Sequence, residues 1–201
     1  MSSSADALLA LLEKHPLLSA SQLAVVRDQL RPRFPEAAEL AAELRERGWL
    51  TDYQIQQLWK NRGDSLFLGP YVLLEPLGEG GMGQVFRARQ RHLDRMDAVK
   101  VIKPESLNRP GFLQRFQREA RAAARLHHAN VATVYTADEC NGRPYLAMEF
   151  VEGVDLQKLV VTQGPLPVAS ACEYIRQAAL GLQHAHEKGL VHRDIKPSNL
   201  L

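Results

Sequence analysis

"GLVHRDIKPSNLL", residues 189–201, is the stretch that decides the fold. It sets an acid (Asp194), a cation (Lys196) and an amide (Asn199) among Leu190, Val191, Ile195, Leu200 and Leu201. Pro197 has no N–H and keeps the stretch from being helical. It therefore reads as a loop displaying three polar groups. Just upstream, "ACEYIRQAALGLQHAHEKG" reads as a helix. Cys172, Ile175, Ala179, Leu182 and His186 recur at helical spacing and Gly189 ends it.

Working toward the N-terminus, the pattern changes. "YVLLEPL", "QVFRAR", "DAVKVI" and "RPYLAMEF" are short, rich in β-branched, aromatic or large apolar residues, and bounded by turn formers, which predicts strands. One helix, about 110–126, is inserted among them, and a second, about 167–188, follows. A sheet with one helix and then a mostly helical part is an α+β arrangement.

Two of these strands flank chemistry-bearing residues. "LGEGGMGQVFRARQ" contains Gly78, Gly80 and Gly83 in a G-x-G-x-x-G pattern, with Gly81 between them. A P-loop needs Lys where Gln84 stands. A dinucleotide fingerprint needs the glycines to open a helix, yet Phe86 and Ala88 alternate with Arg87 and Arg89 as in a strand. What remains is a flap whose bare backbone approaches phosphates, or a plain hairpin. In "DAVKVI", Ala98, Lys100 and Ile102 share one face. Lys100 there wants an anionic partner or snorkels at a sheet edge. Phe112, Phe116, Ala123 and Leu126 form a helical stripe that position 119 completes, and position 119 is Glu. A carboxylate on that face is costly to bury alone. It either pairs with Lys100 or sits at the stripe's edge in water.

Residues 1–62 read as three or four short helices. Ser19/Gln22 and Thr51/Gln54 have capping-box spacing; Pro35 stands near a helix start and Gly48 at its end. This is a helical accessory domain, a candidate for dimer or partner contact. "NRGDSLFLGP", 61–70, reads as a linker, which sets a domain from 71 onward. Net charge is +2 with 45% apolar residues, a balance that argues for no nucleic-acid partner. The two cysteines have no CxxC spacing and the histidines no metal-ligand spacing, so a cytoplasmic setting fits. No signal peptide or membrane span is read in the chain.

The motifs L-G-x-G-G-M-G-x-V at 77–85, A-V-K at 98–100, Glu119, and H-R-D-I-K-P-S-N at 192–199 occur in order. Together they resemble the eukaryotic-type Ser/Thr protein kinases, in a bacterial, planctomycete-like form. The resemblance covers 71–201, with a sheet lobe over about 71–150 and the start of a helical lobe over about 151–201.

It implies the following roles. Gly78, Gly80, Gly81 and Gly83 cover the phosphates of ATP. Lys100 holds the α/β-phosphates and pairs with Glu119. Asp194 accepts the substrate hydroxyl's proton, Lys196 steadies the γ-phosphate, and Asn199 binds Mg²⁺. Leu77, Val85, Ala98 and Leu201 wall the adenine, and Met148 is the gatekeeper. Glu149 and Val151 offer backbone hydrogen bonds to the base, and Asp155 reaches the ribose. His192 braces the loop. Arg193 implies control by a phosphorylated activation loop. Lys196 favours protein substrates carrying Ser or Thr. Asp97 departs from the family's apolar residue, on the face opposite Lys100. D-F-G and the activation loop do not occur in 1–201, so the chain is expected to be a fragment that does not catalyse alone. The alternative is a non-catalytic remnant that binds nucleotide or acts as a scaffold. The fragment reading leaves room for membrane anchoring through a part beyond residue 201.

Overall fold

The structure, a computed structural model, describes residues 4–201. The chain divides into two compact units: the residues up to Glu79 with Gln84–Met96, and Gly80–Gly83 with Asp97–Leu201.

The first unit begins with short amphipathic helices. Helix α1 (Ala5–Lys14) buries Leu8, Leu9 and Leu12. Helix α2 (Ala20–Val25) starts at the Ser19/Gln22 capping box and continues through a π-turn, Val26–Leu30, into α3 (Arg31–Arg33). Helix α4 (Ala37–Glu46) buries Ala37, Leu40, Ala41 and Leu44, the i, i+3, i+4, i+7 stripe of a one-sided helix. Gly48 follows it with φ +67°, the left-handed end the sequence predicts. Helix α5 (Asp52–Trp59) starts at the Thr51/Gln54 capping box.

Residues 63–70, expected as a linker, are packed instead. Gly63–Leu66 form a 3-10 turn and β1 (Phe67–Leu68) pairs with β2 (Tyr71–Glu79). Leu66 and Leu68 are fully buried. Gly69 and Pro70 make a hairpin turn between the two strands, so turn formers mark a tight reversal here rather than free chain. The core of the helices runs on through Leu66 and Val72 into β2. Strand β3 (Gly83–Gln90) pairs antiparallel with β2, and Phe86 and Ala88 are buried as their alternation predicts.

In the second unit the strand order is β4-β6-β5, with β4 (Arg95–Ile102), β5 (Val134–Cys140) and β6 (Arg143–Glu149) all antiparallel. Asn141 and Gly142, at φ +51° and +70°, turn the β5–β6 hairpin. Its helices are α6 (Pro104–Leu107), α7 (Phe112–Ala123), α8 (Leu156–Gln163) and α9 (Val168–Glu187). The sequence pattern did not single out β5: "VYTADEC" is polar enough that all its residues are exposed or half-buried.

The stripe read on α9 stands mostly uncovered. Cys172, Ala179 and His186 are exposed, and Ile175 is 58% exposed. The buried side holds Gly181 and Ala185, small residues that let α9 approach the backbone. A Cβ at Gly181 would come within 2.7 Å of the Asn130 carbonyl oxygen.

Candidate active site

The loop after α9 is organised around Asp194. Gly189, at φ +77°, stops the helix, and the Leu190 N–H returns to the Ala185 carbonyl. Arg193 takes a left-handed φ of +66°, uncommon for a residue with a Cβ. His192 Nδ1 accepts the Asp194 N–H at 3.3 Å. Lys196 Nζ stands 2.9 Å from Asp194 Oδ2. Asn199 Nδ2 donates to the Asp194 carbonyl at 2.8 Å and to its Oδ2 at 3.3 Å. The three groups displayed by the loop therefore converge on one carboxylate. A 3-10 turn, Pro197–Asn199, brings the amide back to it.

Lys196, first by its hydrogen bond, and then Asn199 hold the Asp194 carboxyl below the usual carboxylate range. Both partners are more than half exposed, so the pair adds little to stability; its effect is to orient an ionised acceptor. Because the folded-state value is depressed, the contact is present above the ordinary carboxylate range and is lost as pH falls through the lowered value. Lys196→Met is expected to return the Asp194 titration toward its ordinary value, read by ¹³C NMR of the carboxyl. An unmoved midpoint would show that Lys196 is not the cause.

The loop's end is tied to the start of α8, where the Leu156 N–H donates to the Leu200 carbonyl at 2.9 Å. Asp155 caps that helix. Its Oδ1 accepts the Lys158 N–H at 2.8 Å and its Oδ2 lies 3.3 Å from Lys158 Nζ, which lowers its pKa. The carboxylate expected to reach a ribose is thus engaged by its own helix.

Among the glycines two kinds separate. A Cβ at Gly78, Gly80 or Gly81 would meet nothing within 4 Å, so their backbone lies open. Gly83 is buried, and a Cβ there would overlap the Val101 carbonyl of β4. The tip is pinned as well. The Gly80 N–H donates to the Gly83 carbonyl at 2.9 Å, and the Met82 carbonyl accepts the Lys103 N–H at 3.1 Å and the Ser106 hydroxyl at 3.4 Å. The Gly80 N–H is taken up within the turn, so it is the open backbone at Gly81 that fits the approach of phosphate oxygens. Ser106 carried no signal in the sequence.

Strand β4 sets Lys100 opposite Leu146 and Ala98 opposite Met148. Glu149 exchanges two bonds with Thr133: its N–H donates to the Thr133 carbonyl at 2.8 Å, and its Oε2 accepts the Thr133 N–H at 3.0 Å. The Glu149 N–H is therefore not on offer to a base. Val151 is 36% exposed and Leu201 69%. Leu77 and Val85 are half-buried, with Val85 opposite Gly78. Asp97 is fully buried, on the face its alternation from Lys100 predicts.

The expected Lys100–Glu119 pair is not formed. Glu119 is exposed, and Ala120 is the buried residue between Phe112 and Leu126. The stripe on α7 runs 112, 116, 120, 123, with Phe112 and Phe116 stacked at 6.5 Å. One residue of phase, about 100° around a helix, turns the carboxylate to water, where it avoids the cost of unpaired burial.

Magnesium takes hard oxygen ligands, usually few from protein and the rest from phosphates and water. Asn199 fits that use: its Nδ2 faces Asp194 and leaves Oδ1 as a ligand. No cluster of three or more His, Cys, Asp or Glu forms a metal site among the described residues.

A sheet with an open glycine tip and an in-strand lysine, and a loop focused on one ionised aspartate, describe a protein of the phosphotransferase class. The protein kinase domain family matches residues 71–201, and the chain belongs to it; by family it is a protein serine/threonine kinase. Serine/threonine-protein kinase PknB of Mycobacterium leprae is 40% identical over 135 residues, 65% of this chain and 22% of that protein. PrkC of Bacillus subtilis is 38% identical over 133 residues, 66% of this chain and 20% of that protein. The crystal structure of the Mycobacterium tuberculosis PknI kinase domain superposes with TM-score 0.60 at 32% identity, covering 66% of this chain and 54% of that one. The chain thus spans about a fifth of the length of these curated relatives.

Proposed function

We propose that this chain is the nucleotide-binding and catalytic-loop portion of an ATP-dependent Ser/Thr protein kinase acting in bacterial signalling. The observation that carries it is the convergence of Lys196 and Asn199 on an ionised Asp194. In this reading Asp194 takes the proton from a protein Ser or Thr hydroxyl as its oxygen bonds to the γ-phosphorus, and the bond to ADP breaks. Lys196 lies beside Asp194 to meet the phosphoryl oxygens. Lys100 binds the α/β-phosphates, and Gly78, Gly80, Gly81 and Gly83 serve as the phosphate-covering loop. Leu77, Val85, Ala98, Met148, Val151 and Leu201 contact the base. Asn199 offers Mg²⁺ one oxygen; the ion, when bound, offsets phosphate charge. Residues 1–62 serve as an accessory element to the domain at 71–201. No helix among the described residues is long and apolar enough to cross a membrane, and we place the site in the cytoplasm.

The test is γ-phosphate transfer from Mg-ATP to a Ser/Thr peptide by a kinase that carries residues 1–201 together with a D-F-G segment and activation loop. Asp194→Asn is expected to lower transfer by about 10²- to 10⁴-fold, the usual contribution of a positioned base, with nucleotide affinity unchanged. Equal loss of binding and transfer would remove Asp194 from the catalytic role. A second reading, nucleotide binding without transfer, is favoured by the exposed Glu119, since kinase catalysis needs the Lys–Glu pair in place. Saturable Mg-ATP binding with no transfer above the Asp194→Asn background, measured in a kinase that carries residues 1–201 together with a D-F-G segment and activation loop, selects it.

A further inference from the structure

Strand β2 carries two irregularities against β3. The register steps from Leu73↔Ala88 to Glu75↔Arg87, and from Pro76↔Phe86 to Gly78↔Val85. Leu74 and Leu77 are therefore extra residues on β2. Bulges bend a strand and re-aim the side chains beyond them. Beyond the first bulge come Glu75 and Pro76 and then Leu77 and Gly78, the last two assigned above to the nucleotide.

The first bulge is held from outside the sheet by the start of α5. Gln54 is 3% exposed, and its Nε2 donates to the Leu73 carbonyl at 3.0 Å. The Thr51 hydroxyl donates to the Leu74 carbonyl. The same two side chains close a capping box: Thr51 Oγ1 accepts the Gln54 N–H at 3.2 Å, and Gln54 Oε1 accepts the Thr51 N–H at 3.1 Å. The box uses only their acceptors. The hydroxyl hydrogen and the amide NH₂ remain, and both go to β2. Either Glu or Gln closes a capping box, but only Gln has a hydrogen left to give. The comparable box at Ser19/Gln22 is exposed and makes no such contact to β2. Tyr53, between the two residues, packs its ring 5.6 Å from that of Phe86, opposite Pro76 on β3.

We propose that Thr51 and Gln54 are positioning residues of the nucleotide site, fixing the bend of β2 that aims Leu77 and Gly78. The helical N-terminal segment is then a working part of the ATP site. This rests on the kinase reading of that site.

The test compares Gln54→Glu with Gln22→Glu in the 1–201 chain, by calorimetric titration of Mg-ATP and by amide exchange over residues 76–86. Both variants keep a capping box; only the first loses a donor to β2. Gln54→Glu is expected to weaken Mg-ATP binding by about three- to tenfold, the usual worth of a buried hydrogen bond, and to speed exchange over 76–86. Gln22→Glu changes neither. Should Gln54→Glu fail to fold, Thr51→Val against Thr51→Ser reads the same effect, with Ser retaining wild-type affinity. Wild-type affinity and exchange in folded Gln54→Glu overturn the proposal alone. Absence of Mg-ATP binding by the wild-type chain overturns the kinase reading, and this proposal with it.

Discussion

Lys100→Met is expected to weaken Mg-ATP binding by about 10- to 100-fold, the scale of a charge-assisted contact to phosphate. The fold should be undisturbed. Lys100 is half-buried in β4 and makes no ion pair with Glu119, so its removal leaves no buried carboxylate unpaired. For the same reason Glu119→Gln is expected to change the stability of the nucleotide-free chain by less than about 0.5 kcal/mol. Calorimetric titration and urea unfolding of the two variants check both statements. A Lys100→Met chain that binds Mg-ATP as tightly as wild type would remove this lysine from the phosphate site. A marked loss of stability in Glu119→Gln would mean that the carboxylate has a partner after all.

The second large effect falls on the glycine loop. Gly83→Ala places a methyl group on the Val101 carbonyl, a backbone atom that cannot rotate away. Overpacking of this kind costs about 1–3 kcal/mol, and the strand end it distorts carries the tip above Lys103 and Ser106. Gly81→Ala meets nothing within 4 Å and is expected to cost less than about 0.5 kcal/mol. It should still weaken Mg-ATP binding, because its new Cβ occupies the face a phosphate would approach. Urea unfolding and nucleotide titration on the pair separate the two effects. Equal destabilisation by both substitutions would contradict the division into a packed glycine and open ones.

Much of this was legible in the residues. Alternation placed Phe86 and Ala88 inside and put Asp97 opposite Lys100, because a strand's period of two leaves little freedom. The two capping boxes were read from Ser19/Gln22 and Thr51/Gln54, since that spacing has a local cause. The catalytic-loop cluster was readable because Pro197 bars an α-helix from running through the loop and the polar residues lie close in the chain. Long-range phase was not legible. Whether 119 or 120 faces inward on α7 depends on what the helix meets, and a carboxylate turns outward when no cation waits. On α9 the side that meets Asn130 holds Gly181, a close backbone approach that the apolar spacing does not reveal. Residues 63–70 looked like a linker because Gly and Pro serve tight hairpins and free chain equally well. The second use of Thr51 and Gln54 left no trace in the sequence either, since a donor's partner across 19 or 23 residues is a fact of the fold.

The central claim is that residues 71–201 bind Mg-ATP along the glycine tip, β4 and the end of β6. The most direct measurement is the amide NMR spectrum of the 1–201 chain titrated with Mg-ATP. Saturating shifts are expected at Gly80–Gly83, Lys100, Glu149–Val151 and Asn199, all with one midpoint and all weakened by Lys100→Met. Shifts that are absent at saturating nucleotide, or that persist unchanged in Lys100→Met, would contradict it.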